Sequence, residues 1–411
     1  MDIDILCKVI DNFGDIGVAF RLARSLSELP DPPRLRLVVD DLAAFAALEP
    51  AVDPDAACQS VRGWEVYRWG GEGEVAGANA EAAAAFRARR PSIVIECFAC
   101  GRPDWLEAIL FDPASDKGCL IIDFEHLSAE KYAEDFHRML SLTRSSLVRK
   151  AMFLPGFAAL TGGLIMDGSF ERARTRASSD AGRRDMRREL LADIGPVSLA
   201  GSGDATIAGA EESFWICVFS YERDYSRVVA DLAEYGLRSA SGAGRPILVL
   251  VAAGKSSDCF LAAWSAAGES LPVIALPFLA QEHWDEIILA SDFSIVRGED
   301  SWARAALSGR PFLWQAYPQE DRHQMVKVAA FLDRLRPYFA DSAEAFSALE
   351  ALYLAFNDRE GDGPDEAGPE RLLPVLSRYS ELLPAFQAFS AFLSRNADLA
   401  SGLLTFLREI V

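Results

Sequence analysis

The sequence predicts an α/β protein built from two domains. Three observations predict it: 411 residues suffice for two cores, strand and helix patterns alternate through both halves, and at two distant places a strand feeds a short polar loop into a helix start. Apolar residues at 50% against 25% charged are a globular balance. The formal charge of −20 and pI near 4.7 set the chain against polyanions. Neither nucleic acid nor an anionic membrane is therefore expected as a partner, and any phosphate site must be local. No apolar run approaches a membrane span, and Asp2 and Asp4 stand where a leader would be basic, so a cytoplasmic location is expected.

In the first domain, Ile3 to Ile10 reads as a buried strand, Asp11-Asn12-Phe13-Gly14-Asp15-Ile16-Gly17 as a glycine-punctuated loop, and Val18 to Leu26 as an amphipathic helix. Such a loop lies at the carboxyl end of its strand, where open α/β sheets bind ligands. It lacks the G-x-G-x-x-G order and the Walker lysine, which excludes the usual dinucleotide and P-loop readings. What it offers is two carboxylates, Asp11 and Asp15, whose plain structural roles are a turn former and a helix N-cap. Glu81 to Arg87 is an alanine-rich helix, followed by a strand at Ile93 to Glu96. Cys97-Phe98-Ala99-Cys100 closes that strand instead of opening a helix, so core packing explains it better than redox chemistry. The seven cysteines, an odd number spread among apolar strands, suit reduced thiols.

Leu120 to Phe124 is a further strand, with Ser128 beyond it as a helix cap, and the Gly- and aromatic-rich Phe153 to Gly163 is expected to border a cleft. His126, His137, His283 and His323 are neither paired at i, i+4 nor grouped with cysteine at zinc spacing, so no metal is expected. From Phe170 to about Glu212, Arg172, Arg174, Arg176, Arg183, Arg184, Arg187 and Arg188 cluster. They read as a solvated linker helix compensated by Asp185 and Glu189, with a partner-docking patch as the alternative and the domain boundary at its start.

The second domain begins with the strand Trp215 to Phe219, which runs into Ser220-Tyr221-Glu222-Arg223. Strands Arg245 to Val251 and Leu271 to Leu279 follow. Phe278 would ordinarily be core; on a nucleotide-binding rim it would stack on the base, with Gln281 bonding to the base edge. Phe293 to Val296 then gives way to Arg297-Gly298-Glu299-Asp300-Ser301 and the helix Trp302 to Leu307. A strand feeding a helix start aims backbone N–H groups and a positive dipole end at one point, a diphosphate site candidate. Arg297 supplies a planar cation, Gly298 close approach, and Ser301 a cap or a donor to phosphate oxygen. Read in isolation, the pentapeptide is a capped helix with surface charges. The tail, Leu372 to Val411, has helical spacing and no chemistry of its own, and in two-domain folds of this type a closing helix packs back on the first domain.

Asp11 to Gly17 with Arg21-Leu22-Ala23-Arg24, His126-Leu127-Ser128-Ala129-Glu130, Leu154-Pro155-Gly156-Phe157, Phe219-Ser220-Tyr221-Glu222, Leu276-Pro277-Phe278-Leu279, Val296 to Ser301, Gly309-Arg310-Pro311-Phe312 and Tyr317-Pro318-Gln319-Glu320-Asp321 occur in that order. Together they resemble the bacterial protein-arginine rhamnosyltransferases that modify elongation factor P. The resemblance spans most of the chain and fails mainly in the 40–90 region, the Arg-rich stretch and the tail.

The resemblance implies a GT-B fold of two Rossmann-like domains facing across a cleft. Residues 1–170 would bind the acceptor, with a closing helix at about 390–411 packed on them, and 171–389 the nucleotide sugar. It implies dTDP-β-L-rhamnose as donor, an arginine of elongation factor P as acceptor, inversion in one displacement, and neither metal nor cofactor. Asp15 would be the general base and Asp11 the group holding the guanidinium, with Asn12, Phe13 and Gly14 beside the substrate. Tyr221, Phe278 and Gln281 would surround thymine and ribose, and Arg297, Gly298, Glu299, Asp300 and Ser301 ribose and diphosphate. Carboxylates so placed must address a hydroxyl, Arg297 or backbone N–H groups, since phosphate contact is repulsive. Arg102, Arg144, Arg149 and Lys150 are candidates for gripping the protein acceptor. The rival readings are a GT-B enzyme with another sugar or acceptor and, more distantly, a noncatalytic two-domain binding protein.

Overall fold

The computed structural model describes residues 1–10, 13–70, 78–194, 209–239, 245–319, 321–358, 371–396 and 398–410. The chain divides into two compact units, Met1–Gly168 with Asn396–Val411, and Ser169–Arg395. In the first unit the elements are β1 (Asp2–Cys7), α1 (Gly14–Ser27), β2 (Arg34–Val39), α2 (Leu42–Leu48), β3 (Cys58–Val61), β4 (Trp64–Arg68), α3 (Ala78–Ala88), β5 (Ile93–Cys97), α4 (Asp104–Leu110), β6 (Cys119–Phe124), α5 (Tyr132–Phe136), β7 (Leu140–Ser141) and β8 (Val148–Phe153). They form one sheet in the order β3-β4-β2-β1-β5-β6-β8-β7, parallel except for β3 and β7.

Each inner strand is apolar on both faces, as a sheet covered on both sides requires. Ile5, Leu37, Ile95 and Ile122 pack on one side, and Leu6, Val38, Val94 and Ile121 on the other. Asp4, fully buried on β1, is held bidentately by Arg36 of β2 at 2.5 and 2.9 Å, and the Arg36 guanidinium lies 3.7 Å from the Phe86 ring centroid.

The second unit contains α6 (Gly168–Ala177), α7 (Asp180–Ile194), β9 (Phe214–Val218), α8 (Ser226–Arg238), β10 (Ile247–Val251), α9 (Lys255–Ala266), β11 (Val273–Ala275), α10 (Gln281–Ala290), β12 (Phe293–Arg297), α11 (Glu299–Ser308), β13 (Phe312–Gln315), α12 (His323–Leu335), α13 (Ala343–Asn357), α14 (Leu372–Ser377) and α15 (Tyr379–Arg395). Its parallel sheet runs β11-β10-β9-β12-β13. α16 (Leu399–Ile410) returns to the first unit, where Leu399, Leu403 and Leu407 join the core and the helix packs on α1.

Both sheets have a point where successive connections turn in opposite directions. In the first it lies between β1 and β5, in the second between β9 and β12. Loops leaving adjacent strands there diverge and open a crevice at the carboxyl ends.

The Arg-rich stretch corrects one expectation. Arg176–Glu189 and Arg188–Asp185 are exposed pairs, as a solvated helix requires, but Arg183 and Arg187 are buried. Arg187 is 1% exposed and donates to the carbonyls of Ala290, Ser213 and Glu211 and to Asp292 at 2.8 Å. The arginine therefore ties α7 to the starts of β9 and β12, so this helix is an integral layer. Losing either partner of such a buried pair strands a charge and costs about 3–5 kcal/mol. Among the described residues no helix is long and apolar enough to cross a membrane.

Candidate active site

The β1–α1 junction lies at the first switch point. The helix begins at Gly14, so half of the expected loop is its first turn, and Phe13 occupies the N-cap without a side-chain cap bond. Asp15 is the second helical residue, 8% exposed, and its Oδ2 accepts the Ile10 N–H at 2.7 Å. It is thus not the N-cap. A carboxylate in the first turn is favoured by the helix dipole, and this one also fixes the loop that precedes it. Phe13 packs against the core, and Gly14 is exposed. Asp11 and Asn12 lie outside the described residues.

Two buried arginines on α1 hold the helix. Arg21 Nη1 and Arg24 Nη2 meet Asp167 Oδ2 at 2.8 and 3.2 Å, and all three side chains are at most 4% exposed. Asp167 went unrecognised in the sequence, because a partner 146 residues away leaves no local pattern.

The neighbouring loops form the rest of this rim. Phe98 and Ala99 follow β5 with φ of 58° and 51°, a conformation costly for side-chain residues, and His126 stacks on Phe98 at 4.5 Å. Cys97 is buried and Cys100 Sγ meets the Leu6 carbonyl; burial pushes both thiols up, that of Cys100 to about 12, which leaves them unreactive. Ser128 caps no helix: its Oγ accepts the Glu130 N–H at 3.1 Å, and its backbone bridges to Gly156. Gly156 is required there, since a Cβ would lie 2.7 Å from Thr161 Cγ2. His137 Nδ1 accepts the Leu154 N–H at 3.2 Å, and burial lowers its pKa to about 4.

The four basic residues suggested for the acceptor are engaged within the unit. Arg102 binds Glu96 and Glu107, Arg144 binds Glu107, Lys150 binds Asp123 at 2.9 Å, and Arg149 donates to the Ile410 carbonyl. Burial raises the Glu96 carboxyl against the pull of Arg102 and Lys150.

In the second unit the β12–α11 junction occupies the switch point. Gly298 is the N-cap of α11 at φ 68°, ψ 173°, a region only glycine tolerates. The helix therefore starts at Glu299, earlier than its apolar spacing suggested, and Ser301 is its third residue instead of a cap. Glu299 and Asp300 are half-buried, with Asp300 Oδ1 3.7 Å from Arg304 Nε. The Arg297 guanidinium lies over Phe219 at 4.8 Å and Tyr221 at 4.6 Å. Tyr221, just past β9, is pinned by Gln315 Oε1 accepting its backbone N–H at 2.8 Å, and its ring meets Tyr317 edge-on at 5.4 Å.

Phe278 is 52% exposed, which excludes the core role. β11 is shorter than expected, so Phe278 sits in the loop before α10. Its strand is three places from β12 in the sheet, about 14 Å at normal strand spacing. α10 shortens that separation by packing beside α11, and Trp284, one turn from the buried Gln281, donates its indole N–H to Ser301 Oγ at 2.9 Å. The structure thus gathers Tyr221, Arg297, Gly298 and Ser301 directly and brings Gln281 near through its helix. Among the described residues no three His, Cys, Asp or Glu side chains are grouped to hold a metal ion.

The family model of the elongation factor P rhamnosyltransferase EarP matches residues 3–408. The chain is 32% identical to the protein-arginine rhamnosyltransferase of Pseudomonas putida, covering 99% of this chain and 98% of that one, and equally identical to that of Pseudomonas aeruginosa over the same shares. A solved structure concerned with EarP-mediated arginine glycosylation of elongation factor EF-P shares the fold, with a TM-score of 0.57, 24% identity and 99% coverage of each chain. Two Rossmann-like units, a match along almost the whole length and this kinship establish a GT-B glycosyltransferase that belongs to the elongation factor P rhamnosyltransferase family.

Proposed function

We propose that this chain transfers L-rhamnose from dTDP-β-L-rhamnose to one arginine side chain of elongation factor P, with inversion at the anomeric carbon and without a metal. The observation that carries the reading is what each unit has at its own switch point: a helix-borne carboxylate in the first, and a glycine-led helix start beside an arginine in the second.

A guanidinium is cationic and delocalised, hence a poor nucleophile until a carboxylate orients it and takes a proton as the C–N bond forms. Asp15 is assigned that role. Its Oδ2 bond to the Ile10 N–H fixes the carboxylate's orientation, and the Arg21–Asp167–Arg24 cluster fixes the helix that bears it. Asp11 is assigned to the acceptor guanidinium. On the donor side, the diphosphate leaves with charge that the α11 helix start, Arg297 and Ser301 stabilise without a metal ion. Arg297 lies on two aromatic faces, so its planar group is preorganised for that duty. Phe278, exposed on the same unit, is assigned to the thymine face and Gln281 to its edge.

Intact-mass measurement of elongation factor P tests this. With wild-type protein, EDTA and dTDP-β-L-rhamnose, a gain of one deoxyhexose is expected, and UDP- or GDP-sugars should give none. No gain while dTDP still binds would retain the donor site and exclude this acceptor or this sugar.

A further inference from the structure

We propose that Trp284 is a positioning residue of the diphosphate half-site, acting through the hydroxyl of Ser301. The inference rests on the donor-site reading above. Ser301 is 6% exposed, and among the described residues the only hydrogen bond of its Oγ is the one it accepts from Trp284 Nε1 at 2.9 Å. A serine hydroxyl has one proton and two lone pairs, whereas an indole can only donate. The indole N–H therefore occupies one lone pair and turns the Ser301 proton away from α10. Without it, a serine in the first turn of a helix has local backbone carbonyls and amides to bond instead.

The proton so directed belongs to a side chain in the first turn of α11, one turn from Gly298. Such a donor at a helix start suits a phosphate oxygen. The same ring has a second contact. Trp284 meets Phe219 edge-on at 5.1 Å, and Phe219 carries the Arg297 guanidinium at 4.8 Å. One indole thus braces both side chains assigned to the leaving group, Ser301 by a hydrogen bond and Arg297 through an intervening ring. Trp284 lies on the Gln281 side of α10, at i+3, so base recognition and phosphate recognition share one helix turn.

A double-mutant cycle read by calorimetry with dTDP and with thymidine tests this. Trp284→Phe keeps an aromatic ring on the Phe219 side while removing the N–H; it should weaken dTDP about fivefold, the scale of one net hydrogen bond, and leave thymidine unchanged. Ser301→Ala should weaken dTDP to a similar degree, and the double variant should bind no more weakly than Ser301→Ala alone. Trp284→His, which retains a ring N–H, should recover part of the loss. Additive losses in the double variant, or thymidine weakened as much as dTDP, would overturn the proposal. If Ser301→Ala binds dTDP normally, the donor-site reading itself fails; if Ser301→Ala weakens dTDP and Trp284→Phe does not, only the role of Trp284 fails.

Discussion

The β1–α1 and β12–α11 junctions have the same plan, and both helices open with acidic residues, but they differ in how the backbone enters the helix and in the cation that stands beside the second. Each is a strand, a short loop and a helix start at the switch point of a parallel sheet core. At the first, a carboxylate in the opening turn reaches back to the Ile10 N–H, so the positive end of the helix already has an anion of the chain's own. At the second, Gly298 turns the backbone into α11 at φ 68°, Glu299 and Asp300 stand in the first turn, and the Arg297 cation lies alongside. The lesson is that one strand–loop–helix plan can be given different local settings, a carboxylate tied back to the preceding loop at the first junction and a glycine-led entry beside an arginine at the second.

The sharpest way to break the comparison is to exchange backbone freedom between the two. At Gly298 an added Cβ meets nothing within 4 Å, so any harm must come from the φ of 68° and not from crowding. Gly298→Ala should weaken dTDP by roughly tenfold or more, the scale of 1–3 kcal/mol of backbone strain. Gly14→Ala, at an α1 start whose glycine has no positive φ, should fold with equal or greater thermal stability. Equal losses of dTDP affinity in the two variants would show that the junctions do not differ in the way argued. A smaller effect is expected at the edge of the donor half-site: Phe278→Ala should weaken dTDP by ~1–3 kcal/mol, the range of base stacking on an aromatic ring. Calorimetry gives the answer directly, and an unchanged affinity would remove Phe278 from the site.

Much of this was legible in local patterns. The apolar runs at Ile3 and Phe293 predicted β1 and β12, and the Arg297–Ser301 stretch marked a helix start, because strand periodicity and helix initiation are written within a few residues. Helix starts were placed late at both junctions, since Gly14, Asp15, Glu299 and Asp300 look like loop residues yet belong to first turns, where acidic groups are favoured. What stayed hidden depends on long-range pairing. Nothing near Arg187 announces Asp292, nothing near Arg21 announces Asp167, and charge counting alone made the α7 arginines look solvated. Trp284 carried a faint local signal, three residues after Gln281 on one helix face, but its partner Ser301 lies in another helix.

The central claim is that the two junctions divide the work, catalysis by base at the first and leaving-group binding at the second. The most direct test is Asp15→Asn, in which the amide oxygen can still accept the Ile10 N–H and preserve the loop. Its dTDP affinity and its rate of deoxyhexose transfer to elongation factor P should be measured side by side. The account predicts wild-type dTDP affinity with transfer reduced by about 10²–10⁴-fold, the usual contribution of a positioned general base. Transfer within a few fold of wild type would contradict it.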